Sequence, residues 1–257
     1  MVFRFIIASV LLLTYCAIRR VPLPKLRDVP LFAISGGVGV FLYMWAFNTG
    51  AATVESGISS FIISSAPVFT LIMSIVFLKE KANAAIWIGV IISFVGIGII
   101  AAATITDLQL GTGVWLLLGA AICASLFNVI QKRITLNYTP MQATAYSIAF
   151  GTLVMCIFLP DLFRELPTAP ASANIVMVYL GVFPAAIAYF LWGYALAKAE
   201  KTIYVTSFSY LSPFLASIMA FVWLGETISP IALVGGVVVI GGMVITNALR
   251  RNKATHS

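Results

Sequence analysis

Apolar residues run through this chain in nine long stretches separated by short polar connections. The hydrocarbon core of a bilayer is about 30 Å thick, so a helix that rises 1.5 Å per residue needs about 20 apolar residues to cross it. The stretches are too long and too uniformly apolar for the alternating strands of a barrel. The pattern predicts an all-α integral membrane protein with nine transmembrane helices, over residues 2–18, 30–51, 56–78, 84–104, 112–132, 140–160, 173–197, 203–224 and 229–249.

Composition agrees with a protein whose main solvent is lipid. The 257 residues are 61% hydrophobic and 9% charged, which lies outside the range of soluble globular domains. The net charge of +7 does not form one basic face, because the basic residues are short clusters between the apolar stretches. The predicted partners are therefore membrane lipids and a small-molecule substrate, and no nucleic acid.

The three cysteines, Cys16, Cys123 and Cys156, each lie inside an apolar stretch. None of them has the spacing of a metal site or a redox motif, so they are interpreted as small hydrophobic residues. The sequence predicts no metal ion and no cofactor.

Positive charges mark alternate ends of the stretches. Thirteen of the 15 Lys and Arg residues follow the first, third, fifth, seventh and ninth stretches, and the two exceptions are Arg4 and Arg164. Cytoplasmic connections of membrane proteins are enriched in Lys and Arg. The pattern predicts a multi-pass protein of the plasma membrane, in bacteria the inner membrane, with a cytoplasmic C-terminus.

One fifteen-residue segment occurs twice in related form. Residues 66–80 read APVFTLIMSIVFLKE, and residues 212–226, 146 positions later, read SPFLASIMAFVWLGE. The first copy ends at a predicted cytoplasmic connection and the second at an external one, so the copies have opposite orientations. Inverted repeats of this kind are a building plan of secondary transporters.

The repeat divides the chain into halves of four and five helices. The predicted organisation is a first repeat over 1–104, an external linker over 105–111, a second repeat over 112–250 and a cytoplasmic tail over 251–257. The stretch at 112–132 has no counterpart in the first half. A matching helix would precede Met1, so we expect either a truncated or misassigned start or a natural nine-helix variant.

Several segments resemble the EamA-type transporters of the drug/metabolite transporter superfamily. Residues 180–245, from LGVFPAAIAYFLWGYALAKAE to GGVVVIGGMVI, resemble the second half of that family, FNVIQKRI at 127–134 resembles its sixth helix, and RFIIASVLLL at 4–13 resembles its second. The resemblance covers essentially the whole chain. It implies a ten-helix plan whose first helix is absent here.

Two prolines lie in the middle of predicted helices at equivalent places in the repeats, Pro67 and Pro213. A proline inside a helix leaves a backbone carbonyl unpaired and bends the helix, which lipid tolerates mainly where neighbouring groups or a wet cavity satisfy the backbone. Corresponding breaks in two halves point to a central binding site. We therefore interpret both prolines as kinks or hinges.

Polar and aromatic residues near these prolines are the candidate substrate-binding residues. Spacings of three and four place hydroxyl residues on the same helix face as each proline, and the preceding helix of each half adds a Tyr and a Trp. These groups suit an uncharged or zwitterionic organic molecule. The candidates are Tyr43, Trp45, Ser60, Ser64, Asn128, Tyr189, Trp192, Thr206 and Tyr210.

Structural roles compete with binding at each of these positions. Ser and Thr bond helix carbonyls, and Trp and Tyr belong to the interfacial belts of membrane proteins. The glycines at 89, 96, 98, 235, 236, 241 and 242 favour close helix packing over binding. Glu80 and Glu226, at helix ends beside the N-terminus of the next helix, favour an anchoring role, with a gate as the alternative.

The leading hypothesis is a permease or exporter that moves a small organic metabolite, such as an amino acid or related amphipathic solute, by alternating access. A membrane-embedded enzyme is an alternative, but HExxH, GxSxG and P-loop motifs are not found in the sequence. A lipid-handling scaffold without transport is a further alternative. It would not need polar groups on the proline faces of both repeats.

Overall fold

The computed structural model describes residues 1–102, 111–224 and 230–254. These residues form nine helical segments and contain no strand. The segments are α1 Val2–Ile18, α2 Leu26–Ala51, α3 Ser56–Leu78, α4 Ala84–Ala102, α5 Thr112–Ile134, α6 Pro140–Glu165, α7 Ala171–Lys198, α8 at 202–224 and α9 Pro230–Ala254.

Six of the described helices, α2 to α7, are long and apolar enough to cross a membrane. Helix α1 and the Leu233–Ala248 part of α9 are shorter apolar helices. The helices begin and end within a few residues of the predicted stretches, and the predicted all-α membrane fold is confirmed. The number of membrane crossings stays a prediction. Most of the predicted linker lies outside the described residues.

Five of the described helices contain irregular backbone, one of them α6 with a 3-10 turn at Cys156–Phe158. Helix α2 widens to a π-helix at Gly37–Leu42, and α7 does so at Gly181–Ala188. Helix α3 is interrupted at 64–65, and α8 passes through a 3-10 turn at Ser207–Tyr210. Adding the repeat offset of 146 to the π-helical residues of α2 gives positions inside the π-helical part of α7. Adding the same offset to the break in α3 gives the position where the 3-10 turn of α8 ends. The correspondence supports the predicted repeat.

The helices group into two compact units. The first unit comprises the described residues of Met1–Trp45 and Leu126–Ala199, and the second comprises those of Ala46–Ser125 and Glu200–Ser257. Each unit therefore draws on both predicted repeats. The organisation into repeats at 1–104 and 112–250 stays a prediction.

In the first unit, α1 packs against α6 and α7 around an apolar core. Phe5, Ile148 and Met155 are fully buried there. The Ser9 and Thr152 hydroxyls lie 2.7 Å apart and form a hydrogen bond between α1 and α6. The Thr152 hydroxyl also lies 3.2 Å from the Phe5 carbonyl oxygen, so polar contacts link the two helices at this register.

In the second unit, α4 and α9 pack antiparallel with their backbones in contact. A Cβ atom on Gly89 would lie 2.5 Å from the Gly242 carbonyl oxygen, and one on Gly96 would lie 2.9 Å from that of Gly235. The Ser93 hydroxyl, midway between these contacts, donates to the Val239 carbonyl at 3.3 Å. Only glycine permits so close an approach of two helix backbones.

The contacts between α4 and α9 exchange equivalent positions of the two repeats. At the repeat offset of 146, Gly89 is equivalent to Gly235 and Gly96 is equivalent to Gly242. In the structure the pairing is crossed, because Gly89 contacts Gly242 and Gly96 contacts Gly235. This reciprocity is what a two-fold axis between the helices produces. For antiparallel helices such an axis runs perpendicular to both of them, as an inverted repeat requires.

The glycine prediction is confirmed at these four positions and needs correction at two others. Gly236 packs under the Phe214 ring, where a Cβ would clash. A Cβ on Gly241 would meet nothing within 4 Å, and one on Gly98 would make only an ordinary contact with Phe61. Helical spacing turns these two positions away from the α4–α9 contact, so close packing does not explain them.

Glu80 anchors a helix N-terminus, as predicted, but a different one. Its carboxylate accepts hydrogen bonds from the backbone N–H of Thr202 at 3.0 Å and from the Thr202 hydroxyl at 2.7 Å. Thr202 is the first residue of α8, whereas the helix that follows Glu80 in sequence is α4. The carboxylate therefore satisfies orphan donors of a helix 122 residues away in sequence. Glu226 lies outside the described residues.

Side chains at the end of α5 fix the neighbouring helices of the first unit. The Lys132 ammonium donates to the carbonyl oxygens of Leu196 and Ala199, at the C-terminal end of α7. Four residues after α5, the Tyr138 hydroxyl donates to the Asp28 carboxylate at 2.6 Å. This hydrogen bond raises the pKa of Tyr138. These contacts place α2, α5 and α7 relative to one another before any substrate binds.

Candidate functional site

The two repeat-related prolines stand immediately after breaks in their helices. Pro67 lies in the first turn of the Ala66–Leu78 segment of α3, and Pro213 is the third residue of the Leu211–Leu224 segment of α8. Both breaks fall just before the prolines, and the interpretation of Pro67 and Pro213 as kinks or hinges stays a prediction. A proline in the first turn removes an N–H that has no helical partner anyway, so each proline starts a new helical segment.

The break in α3 is fixed by a hydroxyl from α5. The Ser125 Oγ lies 2.7 Å from the carbonyl oxygens of both Ala66 and Ala121. Ala66 begins the helical segment after the break, and Ser125 is fully buried. The break is thus a defined feature of the second unit, with a specific interhelical partner.

Ser60 and Ser64 come together, but through the backbone. The Ser64 hydroxyl donates to the Ser60 carbonyl at 2.6 Å, the ordinary bond of a serine to the preceding helical turn. Ser64 is 7% exposed, and the Ser60 side chain is exposed. Ser64 therefore keeps only its acceptor capacity for a ligand.

Thr206 and Tyr210 have buried hydroxyls without a partner among the described residues. Thr206 is 1% exposed and Tyr210 is fully buried, and neither hydroxyl oxygen makes a hydrogen bond. The Thr70 hydroxyl on α3, which was not among the predicted site residues, is also buried without a hydrogen bond. The part of α3 that contains Thr70 packs against the first turn of α8. An unpaired buried hydroxyl costs about 1–3 kcal/mol. The second unit contains these three hydroxyls, and a polar ligand or water can form hydrogen bonds with them.

In the first unit, two predicted site residues contact each other. The Trp192 indole Nε1 donates to the Asn128 Oδ1 at 2.9 Å, linking α7 to α5. Asn128 is 8% exposed and Trp192 is partly buried. The amide is thus oriented by the indole, and its NH₂ group remains a donor for other partners.

Tyr43 and Tyr189 lie near Arg4, which is one of the two basic residues outside the predicted cytoplasmic clusters. The Arg4 guanidinium interacts electrostatically with both phenol groups. The Tyr189 ring also packs edge-on against Phe5, at a centroid distance of 6.2 Å, and against Phe127 at 5.7 Å. An aromatic wall with two phenol groups therefore adjoins a positive charge.

Trp45, by contrast, is 40% exposed and stands apart from these contacts. The nine candidate binding residues thus fall into a set in the first unit and a set in the second. The second-unit set consists of Ser60, Ser64, Thr206 and Tyr210.

The chemistry of both sets suits recognition. Among the described residues, no cluster of His, Cys, Asp and Glu is arranged to hold a metal ion. Both sets offer aromatic surface and hydroxyls, and the first-unit set adds the Asn128 amide. An open groove of about 380 Å³ elsewhere in the first unit is lined by Leu13, Cys16, Ala17, Arg20, Val21, Leu23 and Tyr146, and it includes no predicted site residue.

Sequence reasoning missed Arg4, Thr70 and Ser125. Arg4 carries a signal that was available, because a charged residue inside an apolar stretch is a functional-site candidate by default. Thr70 has the same helical spacing from Pro67 as the predicted hydroxyls have, but on the C-terminal side of the proline. Ser125 gave no signal, because its partner Ala66 is a backbone carbonyl on another helix.

Comparison with known proteins identifies the family. The model of the EamA-like transporter family matches residues 1–102 and again residues 111–248. A probable terminal-alkyne amino-acid exporter of Streptantibioticus cattleyicolor is 34% identical over 244 residues, which are 95% of this chain and 82% of that protein. The uncharacterized transporter YdfC of Bacillus subtilis is 33% identical over 261 residues, covering 99% of this chain and 84% of that protein.

A solved structure shares the fold. The crystal structure of a protein 16% identical in sequence superposes with a TM-score of 0.78, over 98% of this chain and 87% of the other. The all-helical membrane architecture and the family match agree with each other, and the relatives are named as transporters, not as enzymes. The chain therefore belongs to the EamA-like transporter family and is a multi-pass membrane transporter.

Proposed function

We propose that this transporter exports a small amphipathic organic solute, of the amino-acid class, across the plasma membrane by alternating access. The candidate binding groups are the hydroxyls beside the breaks in α3 and α8, in the second unit, and the aromatic and amide groups of α2, α5 and α7, in the first unit. Export, rather than uptake, is the direction that we assign.

One observation carries the proposal: buried hydroxyls without partners stand next to helix breaks. Thr206 and Tyr210 lie just before and at the end of the 3-10 turn that precedes the helical segment of Pro213, and Thr70 follows Pro67 by three residues. Broken helices with polar groups at the break form substrate sites in transporters built from inverted repeats. In a scaffold, such hydroxyls would destabilise the fold with no compensating role.

The substrate class has independent support from a relative. The exporter of Streptantibioticus cattleyicolor is named for an amino acid that ends in a terminal alkyne, which is a zwitterion with an apolar tail. Hydroxyl, amide and aromatic groups suit the two ends of such a molecule. The same groups were predicted from this sequence alone.

Alternating access is supported by the reciprocal contacts of α4 and α9. Helices related by a two-fold axis perpendicular to them belong to halves of opposite orientation in the membrane. Such halves exchange inward-facing and outward-facing arrangements when they rock about a midplane site. In this mechanism each half in turn adopts the conformation of the other.

Counterflow tests transport by purified protein. Liposomes containing the full chain are loaded with unlabelled L-leucine, L-phenylalanine or L-propargylglycine, and accumulation of the same labelled amino acid is followed. A carrier that alternates between two faces gives transient accumulation, because internal solute drives exchange. A scaffold or an enzyme gives none, so the absence of counterflow with every solute tested, including uncharged and amine analogues, would reject the proposal.

Direction is tested in cells. Cells that express the chain are fed dipeptides that contain the counterflow substrate, and both internal and external amino acid are measured over time. An exporter lowers the internal concentration and raises the external one relative to cells without the chain. Higher internal accumulation from external free amino acid would instead assign uptake.

A further inference from the structure

Arg4 is a partly buried cation of the first unit whose guanidinium contacts no carboxylate among the described residues. Arg4 lies in the first turn of α1, and its Nε atom is buried and makes no hydrogen bond. One terminal nitrogen donates to the Met44 sulfur at 2.7 Å. A thioether is a weak acceptor and carries no charge, so it leaves the positive charge uncompensated.

Other charged groups near Arg4 do not neutralise it. The amino group of Met1 lies close enough to repel it, and Glu165 interacts with that amino group. Glu165 is exposed, and the contacts of the Arg4 guanidinium within the described part of the chain are with the Met44 sulfur and the Phe5 ring, neither of which carries a negative charge. The guanidinium also lies over the Phe5 ring, at 5.1 Å from its centroid. These contacts orient the side chain while leaving its hydrogen-bonding edge for another partner.

A solvated arginine at a helix end would have a different environment. Arginines near membrane surfaces extend along apolar stems and keep their charged group in water. Arg4 instead places its guanidinium against the Met44 sulfur and over the Phe5 ring, which packs edge-on against the Tyr189 ring. Tyr43 and Tyr189 were both predicted as binding residues from the repeat, so the uncompensated cation and the predicted site coincide.

We propose that Arg4 binds the carboxylate of the transported solute, with the Tyr43 and Tyr189 phenols beside it. A guanidinium forms two parallel hydrogen bonds with a carboxylate, and such charge-assisted bonds are stronger than neutral ones. The solute displaces the weak contact with the Met44 sulfur. This inference rests on the proposed function, and it narrows the substrates to molecules that bear a carboxylate.

The test compares a carboxylate with its amide in wild type and variants. Affinities for L-phenylalanine and L-phenylalaninamide are measured by competition in counterflow, with Arg4→Gln, Arg4→Lys and the control Arg164→Gln. Arg164 is the other basic residue outside the predicted cytoplasmic clusters, and it is exposed. Phenethylamine controls for recognition of the amino group alone.

Arg4→Gln should lower the preference for the carboxylate over the amide by about ten- to 150-fold. Arg4→Lys should retain part of the preference, because the charge remains but the two-pronged geometry is lost. Arg164→Gln should leave it unchanged. The inference is overturned if the wild-type protein shows no preference for the carboxylate. It is also overturned if both Arg4→Lys and Arg4→Gln keep the full preference. In either case the proposal of transport is unaffected.

A second readout separates this inference from the proposed function. The thermal unfolding temperature of detergent-purified full-length protein is measured with 3-phenylpropionate and with 3-phenylpropionamide. The carboxylate should stabilise wild type and Arg164→Gln but neither Arg4 variant. If no solute is transported yet this Arg4-dependent stabilisation is present, the proposed function fails and the carboxylate site stands. Equal stabilisation of wild type and both Arg4 variants overturns the site.

Discussion

At the scale of single residues, the candidate hydroxyls of α3 and α8 differ in whether they form a hydrogen bond within the protein. The Ser64 hydroxyl on α3 is bonded to its own helix, whereas those of Thr206 and Tyr210 have no partner in the described structure. A hydroxyl already bonded contributes less to a ligand than one that stands unpaired in an apolar environment. The three positions should therefore respond differently to removal of the hydroxyl.

Tyr210→Phe should weaken substrate affinity by about 1–3 kcal/mol, or roughly five- to 150-fold, and leave protein stability unchanged or slightly higher. The loss arises because the ligand forfeits a hydrogen bond, and the stability is kept because no protein partner is left unpaired. Counterflow and thermal unfolding measure the two effects. Thr206→Val should act in the same direction.

Matched controls accompany the Tyr210 prediction. Tyr179→Phe makes the same chemical change at a tyrosine that is 57% exposed, and it should affect neither quantity. Ser64→Ala should lose less affinity than Tyr210→Phe, since its donor is already used. Wild-type affinity in both Tyr210→Phe and Thr206→Val would exclude these hydroxyls from the site.

The hydrogen bond from Trp192 to Asn128 should be measurable as a coupling energy. Asn128→Ala, Trp192→Phe and the double variant form a cycle for the free energy of unfolding in mixed micelles. Hydrogen bonds between membrane helices average about 0.6 kcal/mol, so a coupling near that value is expected. Additive effects of the two substitutions would contradict the contact.

At the scale of helices, backbone contact distinguishes two adjacent glycines of α9. A Cβ on Gly242 would lie 2.5 Å from the backbone nitrogen of Ser93, whereas one on Gly241 would meet nothing. Backbone atoms of a helix cannot move aside as a flexible side chain can. The pair therefore separates close packing from the general cost of changing a glycine.

Gly242→Ala should destabilise the protein by about 1–3 kcal/mol, because α4 and α9 must move apart. Gly241→Ala should be neutral or stabilising by up to about 1 kcal/mol, because alanine favours helix over glycine. Thermal unfolding of the purified variants measures both. Equal effects at 241 and 242 would contradict the observed contact.

The cap on α8 is a second feature of this scale. Glu80→Ala should expose the backbone donors at the start of α8 and cost about 0.5–2 kcal/mol. Hydrogen exchange should accelerate in residues 202–206, and Glu80→Gln should restore part of the protection by retaining one acceptor. The neighbouring Lys81→Ala is the control. Unchanged exchange at 202–206 in Glu80→Ala would argue against the cap.

At the scale of the whole molecule, the charge pattern predicts which ends face the cytoplasm. Retention of Lys and Arg on that side is a property of insertion and not of packing. The orientation can therefore be tested without any assumption about the site. The two faces are represented by Arg133 on one side and Asp161 on the other.

In a variant without Cys16, Cys123 and Cys156, Asp161→Cys should react with a membrane-impermeant maleimide in intact cells. Arg133→Cys should react only after the membrane is opened. Labelling of both positions in intact cells, or the reverse order, would overturn the orientation. Retained counterflow in the cysteine-free protein is the control for its fold.

Much of the architecture follows from the sequence because the bilayer imposes simple constraints. A span must be long, apolar and helical, since lipid offers no partner for the backbone. The helix positions and the close packing of glycines in α4 and α9 were therefore predictable from hydropathy and composition, whereas the π-helical stretches of α2 and α7 and the pairing of α4 with α9 were not. The prolines pointed to the breaks, although not to their position at the start of new segments.

The partners of individual side chains were decided only by the tertiary structure. Glu80 meets Thr202 across 122 residues, and Trp192 meets Asn128 across 64. Sequence spacing shows which residues share a helix face, but not which face of another helix lies opposite. Arg4 was visible in the sequence as a charge inside an apolar stretch, but only the packing of α1 shows that its guanidinium contacts the Met44 sulfur and that its Nε atom is buried without a hydrogen bond.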